Sequence, residues 1–336
     1  MSMLILSRIH ARNLIRWAKD KDEVFVLSAD LTSSCEADLF RAAYPDRFLS
    51  MGIAEQNMLS FAGGMAREGL VPLVHTFGVF IYRRAYDQIA MSIAYPNLPV
   101  KMFGFLPGVL TPGGATHQAI EDISVMRSLP NMTILEAGDA TETENVLDIA
   151  YNISGPVYVR QLRGEVPRLF LEPMHFGVPR KLSPGNDFVL LTSGICTEEG
   201  MRAVRALRHT SGIRIAHYHI STLKPFDHPE IIRKIEHSRY GAITLENHSI
   251  IGGLGTIIAE KMAEAGCSRK LYRLGLQDTF VHGASRRYLM RKYGIDAAAL
   301  LRLVAEVTGK KIEISEKDLQ ETYTPQVHSI AKAEAL

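Results

Sequence analysis

Nine short apolar runs, with stretches of helical spacing among them, most constrain how this chain folds. In the first half they are VFVLSAD (Val24–Asp30), LVPLVHTF (Leu70–Phe77), LPVKMFGF (Leu98–Phe105), MTILEAGD (Met132–Asp139) and PVYVRQ (Pro156–Gln161). In the second half they are FVLLTSG, IRIAHYHI, GAITLEN and KLYRLGL. A strand with one wet face alternates apolar and polar residues, whereas these runs are nearly continuous, as strands covered on both faces are. Helical patterns fall between them at Glu55–Arg67, Tyr82–Ala94, Glu142–Tyr151, Glu198–Arg208, Gly253–Ala265 and Ala297–Val307. The alternation predicts an α/β fold with two domains, each a mostly parallel sheet flanked by helices.

Residues 1–169 form the first expected domain and residues 187–310 the second. The segment from Arg163 to Asp187 carries four prolines and no clear period; its middle, 170–186, reads as a linker. Residues 311–336 are polar and weakly patterned, a tail packed on the surface or on another chain. A length of 336 residues suits two domains, and 46% apolar with 22% charged residues is a soluble globular composition. The net charge of +2, with both signs interspersed, gives no reason to expect a nucleic-acid or membrane surface. The start MSMLILSRIHARN has an apolar stretch far below the roughly 20 residues that span a bilayer, and no signal-peptide pattern. Three distant cysteines without CxxC spacing predict neither a disulfide framework nor a zinc site, and a reducing cytoplasm is the expected location.

Glu55 stands out in MGIAEQNMLSFAGGMAREG. At helical spacing it shares a face with Met58, Leu59, Ala62 and Ala66, so the pattern aims a carboxylate at the apolar interior. Burying that charge without a partner costs several kcal/mol unless the group stays neutral. No intrachain partner is evident in the sequence.

Three other motifs favour structural readings. GGLGTII follows a strand and opens a helix, but the third glycine of a dinucleotide fingerprint would fall on Ile258, so a tight strand-to-helix turn is expected. His217 and His219 share one strand face without a third metal ligand, and Cys196 lacks a histidine in a recognisable relation to it.

The stronger signals sit at the C-terminal ends of the first-half strands, where open α/β sheets gather their ligands. SADLTSS ends its strand with Asp30 and the hydroxyls of Thr32, Ser33 and Ser34, which taken alone read as an ordinary helix N-cap before a ligand site. Phe77 and Phe80 offer an aromatic plane or ordinary core packing. His117 follows a glycine turn, placed for proton transfer or for capping, and Arg160 and Arg163 suit a phosphate or carboxylate.

Taken in order, SADLTSS, GIAEQNM, HTFGVF, GGATHQAIED…RSLPNM and VRQLRG resemble the pyrimidine-binding domain of transketolase. GGLGTIIAEKMAE and GLQDTFVHGASRRYLMRKYGID resemble that family's C-terminal domain, and the likeness runs from about Ile9 to Val307. SADLT and the THQ…RSLPNM pattern are of the transketolase type; GIAEQ and the final HG segment look more like deoxyxylulose-phosphate synthases and oxoacid dehydrogenase beta chains.

The resemblance implies thiamine diphosphate as cofactor. Glu55 would hydrogen-bond N1′ of its aminopyrimidine, favouring the tautomer that takes the proton from C2 of the thiazolium. Phe77 and Phe80 would line the pyrimidine pocket, with Asp30 in the cofactor's surroundings. His117 would bind and protonate the substrate oxygen, and Arg160, Ser34 and Arg12 would face its phosphate. The family's diphosphate-and-metal motif, a GDG followed downstream by an asparagine, is missing, and EAGDATETEN comes closest to it. The resemblance therefore implies the C-terminal half of a split transketolase acting on sugars. An N-terminal subunit would hold the Mg²⁺ and share the cofactor in a 2+2 heterotetramer. The alternatives are a synthase-like or dehydrogenase-beta-like subunit, and a non-catalytic scaffold. Two positions depart from the family: Gly113 stands where an aspartate recognises a substrate hydroxyl, and Phe105 where a histidine binds phosphate, which would put an apolar ring at the pocket rim.

Overall fold

A computed structural model describes residues 4–312 and residue 319; the tail lies otherwise outside the described residues. The first half supplies β1 (Ile5–Ser7), β2 (Val24–Ser28), β3 (Phe48–Ser50), β4 (Val71–Phe77), β5 (Lys101–Phe105), β6 (Thr133–Glu136), β7 (Val157–Gln161) and β8 (Glu165–Pro167). The second half supplies β9 (Arg180–Ser183), β10 (Phe188–Thr192), β11 (Ile215–His219), β12 (Thr222–Lys224), β13 (Ala242–Ser249) and β14 (Leu271–Leu276). All nine apolar runs form strands, and β5, β6, β7 and β10 are buried at every residue. Their polar ends leave the sheet. Asp139, for instance, caps the helix Ala140–Asn152 by accepting from the Glu142 amide.

A two-stranded sheet pairs β1 antiparallel with β8; of the two larger sheets, one runs in the order β12-β6-β7-β5-β4-β2-β3 and the other β14-β13-β10-β11-β9. Both are parallel except at one edge, where β12 lies antiparallel to β6 and β9 antiparallel to β11. This corrects the expected linker, because β9 falls inside 170–186 and belongs to the second sheet. Its signal is faint because an edge strand needs only one neighbour and tolerates flanking prolines. β12 crosses the other way, returning from the second half to complete the first sheet. The helix expected over Tyr82–Ala94 begins earlier, at Gly78, and changes after Gln88 to wider π-type turns over Ile89–Ala94.

The two domains meet on Arg160, at the end of β7 and wholly buried. Its Nε donates to Asp122 Oδ2 at 2.9 Å, Nη1 pairs with Glu136, and Nη2 donates to the carbonyls of Ala119 (3.3 Å) and Asn247 (3.0 Å). Tyr158 donates to the same Asp122 oxygen at 2.8 Å. Asn247, on β13, in turn bonds both Val109 N and the Pro107 carbonyl across the junction. Removing one member of such a group strands the others as buried, uncompensated charges. Arg160→Met should therefore lower unfolding free energy by about 3–5 kcal/mol, read from urea denaturation; parent-like unfolding would show that the junction does not rest on this residue.

A second buried group lies on the opposite face of the same sheet. His10 and His75 meet Nε2 to Nε2 at 2.9 Å, packed against Phe103 and Phe105. Burial lowers His75 from 6.5 to about 4 and holds His10 well below its ordinary value. Below pH 6.5 the unfolded chain takes up protons that folded His75 refuses until about pH 4. This contribution to stability is present above pH 6.5 and lost as pH falls through that window. Urea midpoints should drop between pH 6.5 and 4, less steeply in a His10→Phe, His75→Phe double variant; identical slopes would refute the assignment.

Candidate active site

Because the strands of the larger sheet run parallel, apart from its antiparallel edge strand, their C-terminal ends open onto one rim, and the loops leaving them bring distant residues together. Glu55 is the first residue of the helix Glu55–Arg67 and is 3% exposed, with Met58, Leu59, Ala62 and Ala66 buried on the same face as their spacing predicts. A carboxylate in the first helical turn also complements the helix dipole. The expectation that it lacks an intrachain partner is corrected: Arg84 Nη1 donates to Glu55 Oε1 at 2.6 Å.

Arg84 comes from the helix Gly78–Gln88, which leaves the end of β4. Its guanidinium carbon lies 4.0 Å from the centre of the Phe80 ring. Phe80 stacks on Phe77 with centroids 5.8 Å apart and 22° between planes. His117 stands edge-on to both, 5.5 Å from Phe80 and 6.4 Å from Phe77, with Nδ1 2.8 Å from Thr116 Oγ1. Glu55, Arg84, Phe80, Phe77 and His117 thus form one continuous group with a carboxylate at one end and an imidazole at the other. Gly113 is part of its construction, because a Cβ there would lie 2.9 Å from His117 Cβ and Cγ. The imidazole rests where a side chain at 113 would stand.

A second group is knitted around Glu36, whose carboxylate accepts from the amides of Ala11 (3.2 Å) and Gly164 (2.6 Å). Arg163 Nη1 donates to the Ser34 carbonyl at 2.6 Å, and Arg8 N to the Gly164 carbonyl at 2.9 Å. Ser34, Arg163 and the start of the helix Ile9–Trp17, which carries the exposed Arg12, are therefore neighbours. Asp30 is exposed just beyond β2, at φ 58, a left-handed conformation that aspartate tolerates.

Two site expectations are corrected. Arg160 does not face a phosphate, since its guanidinium is wholly buried and committed to Asp122 and Glu136. The partly exposed cation following β7 beside Ser34 is Arg163, three residues on, after the strand has ended. Phe105 is not at a pocket rim but fully buried against His10 and His75. Arg84 was missed; its signal was a cation one helical turn after an aromatic residue already singled out.

The three remaining motifs are built as structure. Glu246 accepts from the amides of Leu254 and Gly255, capping the helix that GGLGTII opens; burial pushes its carboxyl up to about 8, although both amides pull the other way. His217 bonds Thr192, and His219 bonds Glu142 and Thr197. Cys196 is wholly buried, and burial pushes its thiol well up, against nucleophilic use. Among the described residues no group of three or more His, Cys, Asp or Glu is arranged for a metal ion, and no helix is long and apolar enough to cross a membrane.

Comparison with known proteins matches residues 6–168 to the family described as transketolase, pyrimidine binding domain, and residues 177–300 to transketolase, C-terminal domain. A transketolase family protein of Sinorhizobium fredii is 39% identical over 293 residues, covering 86% of this chain and 85% of that one. The 6-deoxy-6-sulfo-D-fructose transketolase subunit of a Clostridium species is 36% identical over 302 residues, covering 89% and 92%. A solved structure described as a split gene transketolase, inactive beta4 tetramer, superposes with a TM-score of 0.80 at 33% identity, covering 90% of this chain and 98% of that one.

Proposed function

The chain belongs to the transketolase family, and on that footing we propose that it is the C-terminal chain of a two-chain transketolase. With thiamine diphosphate bound, the enzyme would move a two-carbon ketol unit from a ketose or its phosphate to an aldose or its phosphate. The observation that carries this is the buried Glu55 carboxylate, set beside an aromatic wall and an imidazole. Those groups fit the pyrimidine half of the cofactor: an acceptor for a ring N–H, a flat apolar surface, and no competing metal ligands. When bound, thiamine diphosphate supplies a nucleophilic carbon and an electron sink for breaking a ketose carbon–carbon bond.

The chain's own residues divide the remaining work. Glu55 accepts the proton of the pyrimidine ring nitrogen and shares it, which a carboxylate shielded from water does well. Phe77 and Phe80 fix the ring's plane. His117 gives and takes the proton of the substrate oxygen, and Thr116 Oγ1 beside Nδ1 orients its imidazole. Arg163, with Ser34 and Arg12, faces the substrate's anionic end, and Asp30 lines the cofactor's surroundings. Diphosphate and Mg²⁺ need oxygen ligands that the sequence does not offer in a GDG motif. An N-terminal chain would bring them, in a 2+2 assembly. That the similar solved structure is described as a split gene transketolase, inactive beta4 tetramer, supports this division.

Calorimetric titration should find thiamine diphosphate with Mg²⁺ binding poorly to this chain alone and well once a GDG-bearing partner is added. In the reconstituted enzyme, Glu55→Gln should cut turnover by at least about 10²-fold with little loss of folding stability. Tight cofactor binding to the lone chain would sink the two-chain reading, and near-normal turnover of Glu55→Gln would sink the glutamate's role.

Gly113 supports a substrate other than the common pentose phosphates. No carboxylate stands four residues before His117 to select a hydroxyl configuration, and the imidazole occupies the space one would need. The relative named for 6-deoxy-6-sulfo-D-fructose supports a modified ketose. kcat/KM for xylulose 5-phosphate with ribose 5-phosphate should fall below that for some member of a panel of deoxy, sulfonated and branched ketoses; a tenfold win for the ordinary pair would end this idea.

A further inference from the structure

We propose that the Arg84 guanidinium occupies the place of the cofactor's aminopyrimidine on this chain and must swing away before that ring can be seated. The proposal rests on the reading of Glu55 and Phe80 as the pyrimidine's partners, and goes beyond it by assigning a residue that competes for them.

The geometry gives the guanidinium both contacts that reading assigns to the ring. It is flat, it presents N–H donors along its edge, and it stacks on aromatic faces. Its edge donates to Glu55 Oε1 at 2.6 Å while its carbon lies 4.0 Å from the Phe80 ring centre. No other face of this wall is free. A ring inserted between Phe77 and Phe80 would need centroids roughly 7 Å apart, two van der Waals contacts, whereas they stand at 5.8 Å. Phe77 is only 5% exposed, so its far side is closed by the core. The Arg84 guanidinium itself lies over the Phe80 ring.

Mobility is distributed as a displaceable group requires. The Glu55 side chain is 3% exposed and fixed in the first turn of its helix, whereas that of Arg84 is 42% exposed. Glu55 is its one ion-pair partner among the described residues; its neighbour Arg83 is tied separately to Glu121 and the Ala115 carbonyl. Swinging Arg84 into solvent therefore unpacks no core residue. In the empty chain the arginine neutralises a carboxylate that would otherwise be buried alone. The cost is reduced apparent cofactor affinity, by the fraction of chains in which the slot is open.

The test uses the full chain, ¹⁵N-labelled at arginine, titrated with 4-amino-2,5-dimethylpyrimidine as a pyrimidine-only probe and followed by NMR. The Arg84 Nε–H signal, identified by its loss in Arg84→Met, should move toward the position of a solvent-exposed arginine as the probe saturates. Arg84→Met should bind the probe about tenfold more tightly than the parent, the scale of one half-exposed ion pair plus one cation–π contact. Arg84→Gln serves the same purpose if the methionine variant unfolds in thermal melts. Glu55→Gln should abolish binding in either background. Unchanged or weaker binding by the Arg84 variants, with Glu55→Gln still abolishing it, would overturn the competition while leaving the cofactor reading intact. Binding indifferent to Glu55→Gln, or no binding by any variant, would overturn both.

Discussion

A guanidinium with no access to water organises this molecule. Arg160 sits near the end of β7, where the first domain meets the second, and its donors are spent on groups from three segments, Ala119–Asp122, β6 and β13. Charges removed from water are tolerated only with near-complete pairing. The relative placement of β6, β7, the helix Asp122–Arg127 and the end of β13 is thereby set to within hydrogen-bond tolerance. His117 lies five residues before Asp122, in the segment that leads from β5 into the helix Asp122–Arg127. The position of His117 relative to Phe80 thus depends indirectly on a pairing that no ligand touches.

Where the sequence was legible, one periodicity was strong and unopposed. All nine apolar runs formed strands because continuous burial leaves no other pattern, and the face carrying Glu55 was readable because helical spacing repeats over several turns. Where the reading failed, an element was short or a side chain's direction mattered more than its type. β9 and β12 have four and three residues and lie on sheet edges, so neither period nor composition marks them. Arg160 and Arg163 are chemically alike and three residues apart; only the facing acids, Asp122 and Glu136, from elsewhere in the chain, decide which is buried. Phe105 shows the same limit, since its place beside His10 is a fact of sheet and helix packing.

Glu55 brings the two lessons together. The pattern raised the question of a buried charge, and the fold supplies one answer, Arg84, that is itself half in water. A permanent structural pair would bury both partners or expose both. This asymmetry is what a site gains from a counter-ion that can leave: the carboxylate stays dry and fixed while its companion remains within reach of exchange.

The crossover of β12 has a consequence for how such a chain can be divided. The first sheet ends in a strand taken from beyond the domain boundary, and β6 is covered on that side by residues 222–224. Cutting the polypeptide at the apparent linker would uncover a row of unpaired backbone amides and carbonyls along β6, the kind of margin on which other chains add themselves. The pair of domains is therefore a single inheritable unit. A break between its two sheets would leave the upstream product sticky and the downstream one carrying a strand with nothing to join.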